Sequence, residues 1–150
     1  MTPNPFIESI LTIIERDLKK LEEEINLYPT EESLWEIAGI IKNPGGNLCL
    51  HLCGNLQHYI GAVLGASGYV RNRDREFTAR NISRDELISE IHKTKEAVRN
   101  ALEKLDPQVL EKEYPEQVFS YSMTTLHFLI HLASHLGYHL GQVNYLRRLT

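Results

Sequence analysis

Histidines are the residues of this sequence whose spacing points most directly to chemistry. The C-terminal segment carries four of them at intervals of four, His127, His131, His135 and His139. This interval places side chains on one face of an α-helix with Cβ atoms about 6 Å apart, so two neighbouring imidazoles can ligate the same ion. The pattern therefore predicts a divalent metal site on a C-terminal helix.

Two adjacent stripes on this helix indicate which histidines face the interior. At about 100° per residue, one stripe is wholly apolar and suffices to pack the helix, whereas its neighbour is apolar with a polar middle turn. The inner pair is therefore His135 and His139, because His131 and His127 drift toward solvent by about 40° for each step of four. The apolar stripe contains Leu126, Leu129, Ala133, Leu136, Leu140 and Val143, and its neighbour contains Phe128, Leu132, His135, His139, Gln142 and Leu146.

A third ligand from a facing helix would complete an open site like those of three-histidine zinc enzymes. His51 is the first candidate, because it begins a stripe of small and imidazole side chains that must approach another helix closely. His58 has suitable spacing and stays open as an alternative, and each histidine also has an ordinary interpretation as a hydrogen-bonded core or boundary residue. The stripe contains His51, Gly54, His58, Gly61 and Gly65.

Four polar residues are candidates for roles around such a site. Asn55 and Gln142 each follow a candidate ligand by about one helical turn and are candidates to hydrogen-bond it, although ordinary interhelical contacts would use the same residues. Asp74 and Glu76 are acids near a possible mouth, in a stretch where Arg71, Arg73 and Arg75 alternate with polar and acidic residues. Such charges are usually solvated or salt-bridged.

Four long segments with helical periodicity position these residues, and no segment of useful length alternates like a half-buried strand. Asn4 is the expected N-cap of the first helix, and Ser83 to Glu86 form a capping box before the third. The sequence therefore predicts one all-α domain over residues 1–150. The segments run from about Pro5 to Leu27, from Asn47 to about Ser67, from Ser83 to Asp106, and from near Tyr121 or Ser122 almost to the C-terminus.

Composition favours an ordinary globular domain. The 150 residues are 42% hydrophobic and 24% charged, which argues against disorder and membrane spans. A net charge of −4 gives no general attraction for nucleic acid or anionic membranes, and the opening residues lack a signal-peptide pattern, so a cytoplasmic location is expected. Cys49 and Cys53 are interpreted as small buried residues.

The histidine segments resemble those of the DinB-like superfamily of bacterial four-helix proteins (the DinB/YfiT type). The final stretch, His135-Leu-Gly-Tyr-His139-Leu-Gly-Gln142, is similar to the pattern of that family's last helix, and Asn47 to Leu56 around His51 resembles its second helix. Trp35 and the loop from Arg73 to Phe77 also resemble the corresponding parts of that superfamily. The resemblance selects His51, His135 and His139 as the ligands.

The resemblance implies a four-helix bundle in up-down-down-up order, a bound divalent metal and a homodimer. Zinc or nickel is expected, with iron or copper as alternatives, and a small thiol is a possible cosubstrate. The predicted function is a metal-dependent, thiol-using transferase; the alternatives are a metal-dependent hydrolase and a non-catalytic, dimeric metal- or ligand-binding bundle. The expected dimer face is on the second helix and contains Leu48, Leu52, Tyr59, Ala62, Val63 and Ala66.

Overall fold

The structure is a computed structural model that describes residues 4–150, so the first three residues of the predicted domain lie outside the described residues. Within this range the chain is all-helical and forms no strand, which confirms the predicted all-α class. The α-helices are α1 (Pro5–Leu27), α2 (Gly45–Leu56), α3 (Arg73–Thr78), α4 (Arg84–Lys104) and α5 (Thr125–Arg148). Two short 3-10 helices span Glu32–Trp35 and Pro107–Glu111, and α2 continues as a π-helical segment over Gln57–Ala62.

Side-chain caps set the starts of α1 and α4 as the sequence predicts. The Asn4 side chain accepts hydrogen bonds from the first backbone N–H groups of α1, and the Ser83 hydroxyl accepts one from the N–H of Glu86 at 3.2 Å. These contacts satisfy donors that have no partner inside the helix. The N-cap predictions are therefore confirmed.

The last helix begins later than predicted, with Thr124 as its N-cap. The preceding segment is held by two backbone hydrogen bonds, from the N–H of Tyr114 to the carbonyl of Met123 and from the N–H of Thr125 to the carbonyl of Lys112. A start at Tyr121 or Ser122 is therefore about three residues too early, because this pairing joins the segment to residues 112–114 and Thr124 has an extended backbone.

The four longest helices, α1, α2, α4 and α5, contact one another in a ring. Helix α1 packs between α4 and α5 on one side, and α2 packs between the same two helices on the other. Helices α1 and α5 run in the same direction, since Glu24 near the end of α1 pairs with Arg147 near the end of α5. Helices α1 and α4 run in opposite directions, since Arg84 at the start of α4 donates to the carbonyl of Tyr28 just after α1. One apolar core fills the space between the four helices.

Helix α2 is the most deeply covered of the four, since every residue from Gly45 to Leu56 is buried. The turn after its π-helical continuation packs closely on α4, since a Cβ added at Gly65 would lie 2.6 Å from the Cβ of Ala101. The predicted dimer face is therefore wrong for Leu48 and Leu52, whose side chains belong to the core of their own chain. None of the helices in residues 4–150 combines the length and apolarity needed to cross a bilayer.

Candidate metal centre

Helices α2 and α5 bring the three predicted ligands together. His51, His135 and His139 each offer one nitrogen, and these atoms lie within 4.8 Å of one another. The Nε2 atoms of His51 and His135 are 3.2 Å apart, close to the roughly 3.3 Å between two nitrogens in a tetrahedral site with bonds of about 2.0–2.1 Å. His51 is buried and the other two are half-buried, so the cluster sits at the edge of the core.

The orientation of His51 is set by a carboxylate that the sequence analysis marked as a candidate acid. Nδ1 of His51 lies 3.0 Å from Oε1 of Glu76. An ionised carboxylate only accepts hydrogen bonds, so Nδ1 carries a proton, and in the neutral ring Nε2 is left with its lone pair. This carboxylate–imidazole pair is the arrangement that commonly orients metal-binding histidines.

Arg71 holds the Glu76 carboxylate in turn. Its Nε lies 2.8 Å from Oε2 and its Nη2 lies 2.9 Å from Oε1. Burial opposes ionisation of Glu76, but the hydrogen bonds from His51 and Arg71 outweigh it and lower the pKa of this carboxyl. Glu76 is therefore an anion that uses both of its oxygens.

Gly54 makes room for this carboxylate. A Cβ built at Gly54 would lie 2.0 Å from Oε2 of Glu76, which is closer than any real contact. Helix α3, which sequence analysis interpreted as a loop, delivers Glu76 to this position, and the side chain of Asn72 caps its first turn. The position of Glu76 therefore explains why α2 contains a glycine here, although glycine destabilises a helix interior.

His139 has a similar partner on its own helix. Its Nδ1 lies 2.7 Å from Oε1 of Gln142, an atom that only accepts, so Nδ1 is protonated and Nε2 is left with its lone pair. Gln142 thus makes the kind of contact that the sequence analysis expected. Asn55 differs: its side-chain Oδ1 is buried without a hydrogen-bond partner among the described residues, so it does not orient a ligand through that atom.

The surroundings and protonation state of His135 indicate whether the cluster can bind a cation. Its Nδ1 is buried and has no hydrogen-bond partner in residues 4–150, while its Nε2 faces Nε2 of His51. Burial, together with His139 and His51, lowers the pKa of His135 to about 3, and burial also lowers the pKa of His139. Both rings are therefore neutral at pH 7, which is the form that ligates a metal. The donor set fits a divalent transition metal.

The remaining histidines are outside the group of three. His58, the alternative third ligand, instead contacts Glu116 with 3.1 Å between Nε2 and Oε2. His131 is half-buried and His127 is exposed, as their drift along the helix predicts. His92 is a largely exposed residue of α4, also as expected. The structure thus favours His51 over His58.

The all-helical fold and the cluster of three histidines at the edge of the core place this chain among candidate metalloproteins. The sequence model of one family, described as "Protein of unknown function (DUF1572)", matches residues 4–150, and the chain belongs to this family. Searches of curated proteins and of solved structures gave no match. Membership of the wider DinB-like superfamily stays a prediction.

Proposed function

We propose that the chain binds one divalent transition-metal ion through His51, His135 and His139 and uses it for catalysis. The observation that carries this proposal is the convergence of three imidazoles, two of which have their outer nitrogen hydrogen-bonded to another side chain. Such bonds fix the tautomer and direct the other nitrogen inward. Zinc and nickel are the ions that we propose first, with iron and copper as alternatives, since imidazole nitrogen suits all four.

Two features support an open catalytic site over a closed structural one. Within the described chain, the candidate ligand group contains the three histidines and no fourth histidine, cysteine or acid. His139 also lines a pocket of about 490 Å³. Structural zinc sites normally have four protein ligands, whereas catalytic sites keep a position for water or substrate.

A bound ion would supply Lewis acidity and would lower the pKa of a coordinated thiol or water molecule. The chain's own residues favour a nucleophile that comes from solution. Glu76 uses both oxygens to hold His51 and Arg71, so it is not a free general base. Cys49 is buried, and its hydrogen bond with Cys53 and its burial raise the pKa of its thiol.

A small-molecule thiol and water are both such nucleophiles. Thiol transfer is our preferred reaction because of the resemblance to the DinB-like superfamily, and metal-dependent hydrolysis is the alternative. We further propose that the four long helices form the up-down-down-up bundle of the DinB-like type. The directions of α1, α4 and α5 support this order, and so does the contact of the Tyr59 ring beyond α2 with Phe128 near the start of α5.

Metal content tests the first part of the proposal. Protein purified without a metal-affinity step should bind about one zinc or nickel ion per chain in calorimetric titration. His135→Ala and His139→Ala should each abolish this binding, whereas His127→Ala should leave it unchanged, because His127 is exposed and outside the cluster. Equal loss in all three variants would refute the assignment of the ligands.

Turnover tests the second part. We expect the zinc-loaded protein to accelerate the reaction of a small thiol such as cysteine with an aromatic halide, and His139→Ala to lose this rate. Acceleration of ester hydrolysis without added thiol would instead favour the hydrolase. Binding of zinc with neither activity would support the non-catalytic alternative.

A further inference from the structure

A pocket of about 490 Å³ lies beside the histidine cluster. One wall comes from the connector before α2, the opposite wall comes from α5, and His139 belongs to the lining. Its volume is within the range of small-molecule sites, which is roughly 300–1,000 Å³. A molecule held there would therefore lie next to a proposed metal ligand.

Two large side chains with apolar surface are exposed at the mouth of this pocket. Ile40 is 97% exposed and Tyr138 is 66% exposed, and the two belong to opposite walls. Gly39 has a φ of +57°, a conformation that favours glycine and turns the connector just before Ile40. Apolar side chains grouped around a concave opening are typical of a ligand site.

The charged and polar groups that line the pocket indicate which kind of apolar ligand it favours. Among the described residues that line the pocket, Lys42 is the only lysine or arginine, and no aspartate or glutamate is present. The other polar lining groups are the amides of Asn43 and Gln142 and the Tyr138 hydroxyl. A ligand with one negative charge would be complementary to this set, whereas a cation would meet Lys42 unfavourably.

We propose that the pocket binds a small organic anion with an apolar body, such as an aryl or medium-chain carboxylate or sulfonate. The apolar body packs between Ile40 and Tyr138, and the anionic group lies near Lys42. This proposal rests on the proposed function in one respect: it places the substrate of that function next to His139. The binding itself needs no metal.

Two dyes of matched shape test the proposal with the full chain. The probe 8-anilinonaphthalene-1-sulfonate carries the negative charge, and N-phenyl-1-naphthylamine has the same rings without it. We expect one binding site for the sulfonate by fluorescence titration. Lys42→Gln should raise its Kd about three- to fivefold, the loss expected for one exposed ion pair, and should leave the neutral dye unaffected.

Removing the apolar wall should weaken both dyes. Ile40→Asn should raise each Kd about tenfold, because a bound dye would cover apolar isoleucine surface that is open to solvent in the free chain. Lys20→Gln and Val70→Asn are the matched controls, since Lys20 lines a different pocket and Val70 is 87% exposed outside this one. Both should bind the dyes like the unmodified chain.

Two outcomes would overturn the proposal: failure of the sulfonate to bind, or equal weakening by the control and pocket variants. Zinc titration of the unmodified chain separates this result from the proposed function. Zinc binding without dye binding would refute the pocket proposal alone. Dye binding with the expected variant pattern but without zinc binding would refute the metal centre alone.

Discussion

Glu76→Gln tests the arrangement that holds His51, because it removes a negative charge with almost no change in volume. Glu76 accepts three hydrogen bonds, at 3.0 Å from Nδ1 of His51 and at 2.8 and 2.9 Å from Arg71. In glutamine one oxygen becomes an NH₂ group, so in either orientation a donor faces a donor. His51 therefore loses either its partner or the fixed position of that partner.

The expected loss in zinc affinity follows from the role of such contacts. Removal of a group that orients a ligand costs about 10- to 100-fold in metal affinity, or roughly 1.4–2.7 kcal/mol. The metal-free protein should also lose about 3 kcal/mol of unfolding free energy, because the Arg71 side chain, 12% exposed, keeps its charge without a counter-charge. Calorimetric zinc titration and urea denaturation measure the two losses separately.

Comparison with a ligand variant and with a neighbouring acid distinguishes an effect through His51 from a general disturbance. Glu76→Gln should weaken zinc binding without abolishing it, whereas His51→Ala should abolish it because it removes one of the three proposed ligands. Asp74→Asn is the matched control, since Asp74 is an exposed acid of the same short helix and should change neither quantity. If Glu76→Gln leaves zinc affinity unchanged, or if Asp74→Asn weakens it equally, the proposed orientation of His51 by Glu76 is wrong.

Three further results are expected. Gly54→Ala should weaken zinc binding and destabilise the fold by about 1–3 kcal/mol in urea denaturation, since its Cβ would meet Glu76; Gly141→Ala, where a Cβ meets nothing within 4 Å, should be neutral or stabilising. The unfolding free energy of the metal-free protein should fall as pH decreases from about 6.5 toward 3, because the lowered pKa of His135 means that the unfolded chain binds more protons in this window; His135→Ala should flatten that slope. Light scattering at micromolar concentration should give the mass of a dimer, as the family resemblance implies, and a monomer mass would contradict it.

Local patterns predicted the parts of this protein that depend on one helix at a time. The caps at Asn4 and Ser83 and the pairing of His135 with His139 follow from hydrogen-bonding and periodicity within a few residues. The start of α5 was predicted too early, since the backbone bonds of Met123 and Thr125 join segments that no local pattern connects. Likewise, nothing within α2 reveals that Leu48 and Leu52 face its own core and not a partner chain.

The histidine cluster depends both on local sequence patterns and on the packing of distant segments. The sequence by itself determined that His135 and His139 share a face of α5, and it offered His51, with His58 as an alternative, as the candidate third ligand. Only the tertiary structure showed that His51, and not His58, lies beside His135 and His139, because this placement depends on how α2 is rotated against α5. It also decided the role of Glu76, since the contact of that carboxylate with His51 spans 25 positions and forms only when α3 packs over the space that Gly54 leaves open.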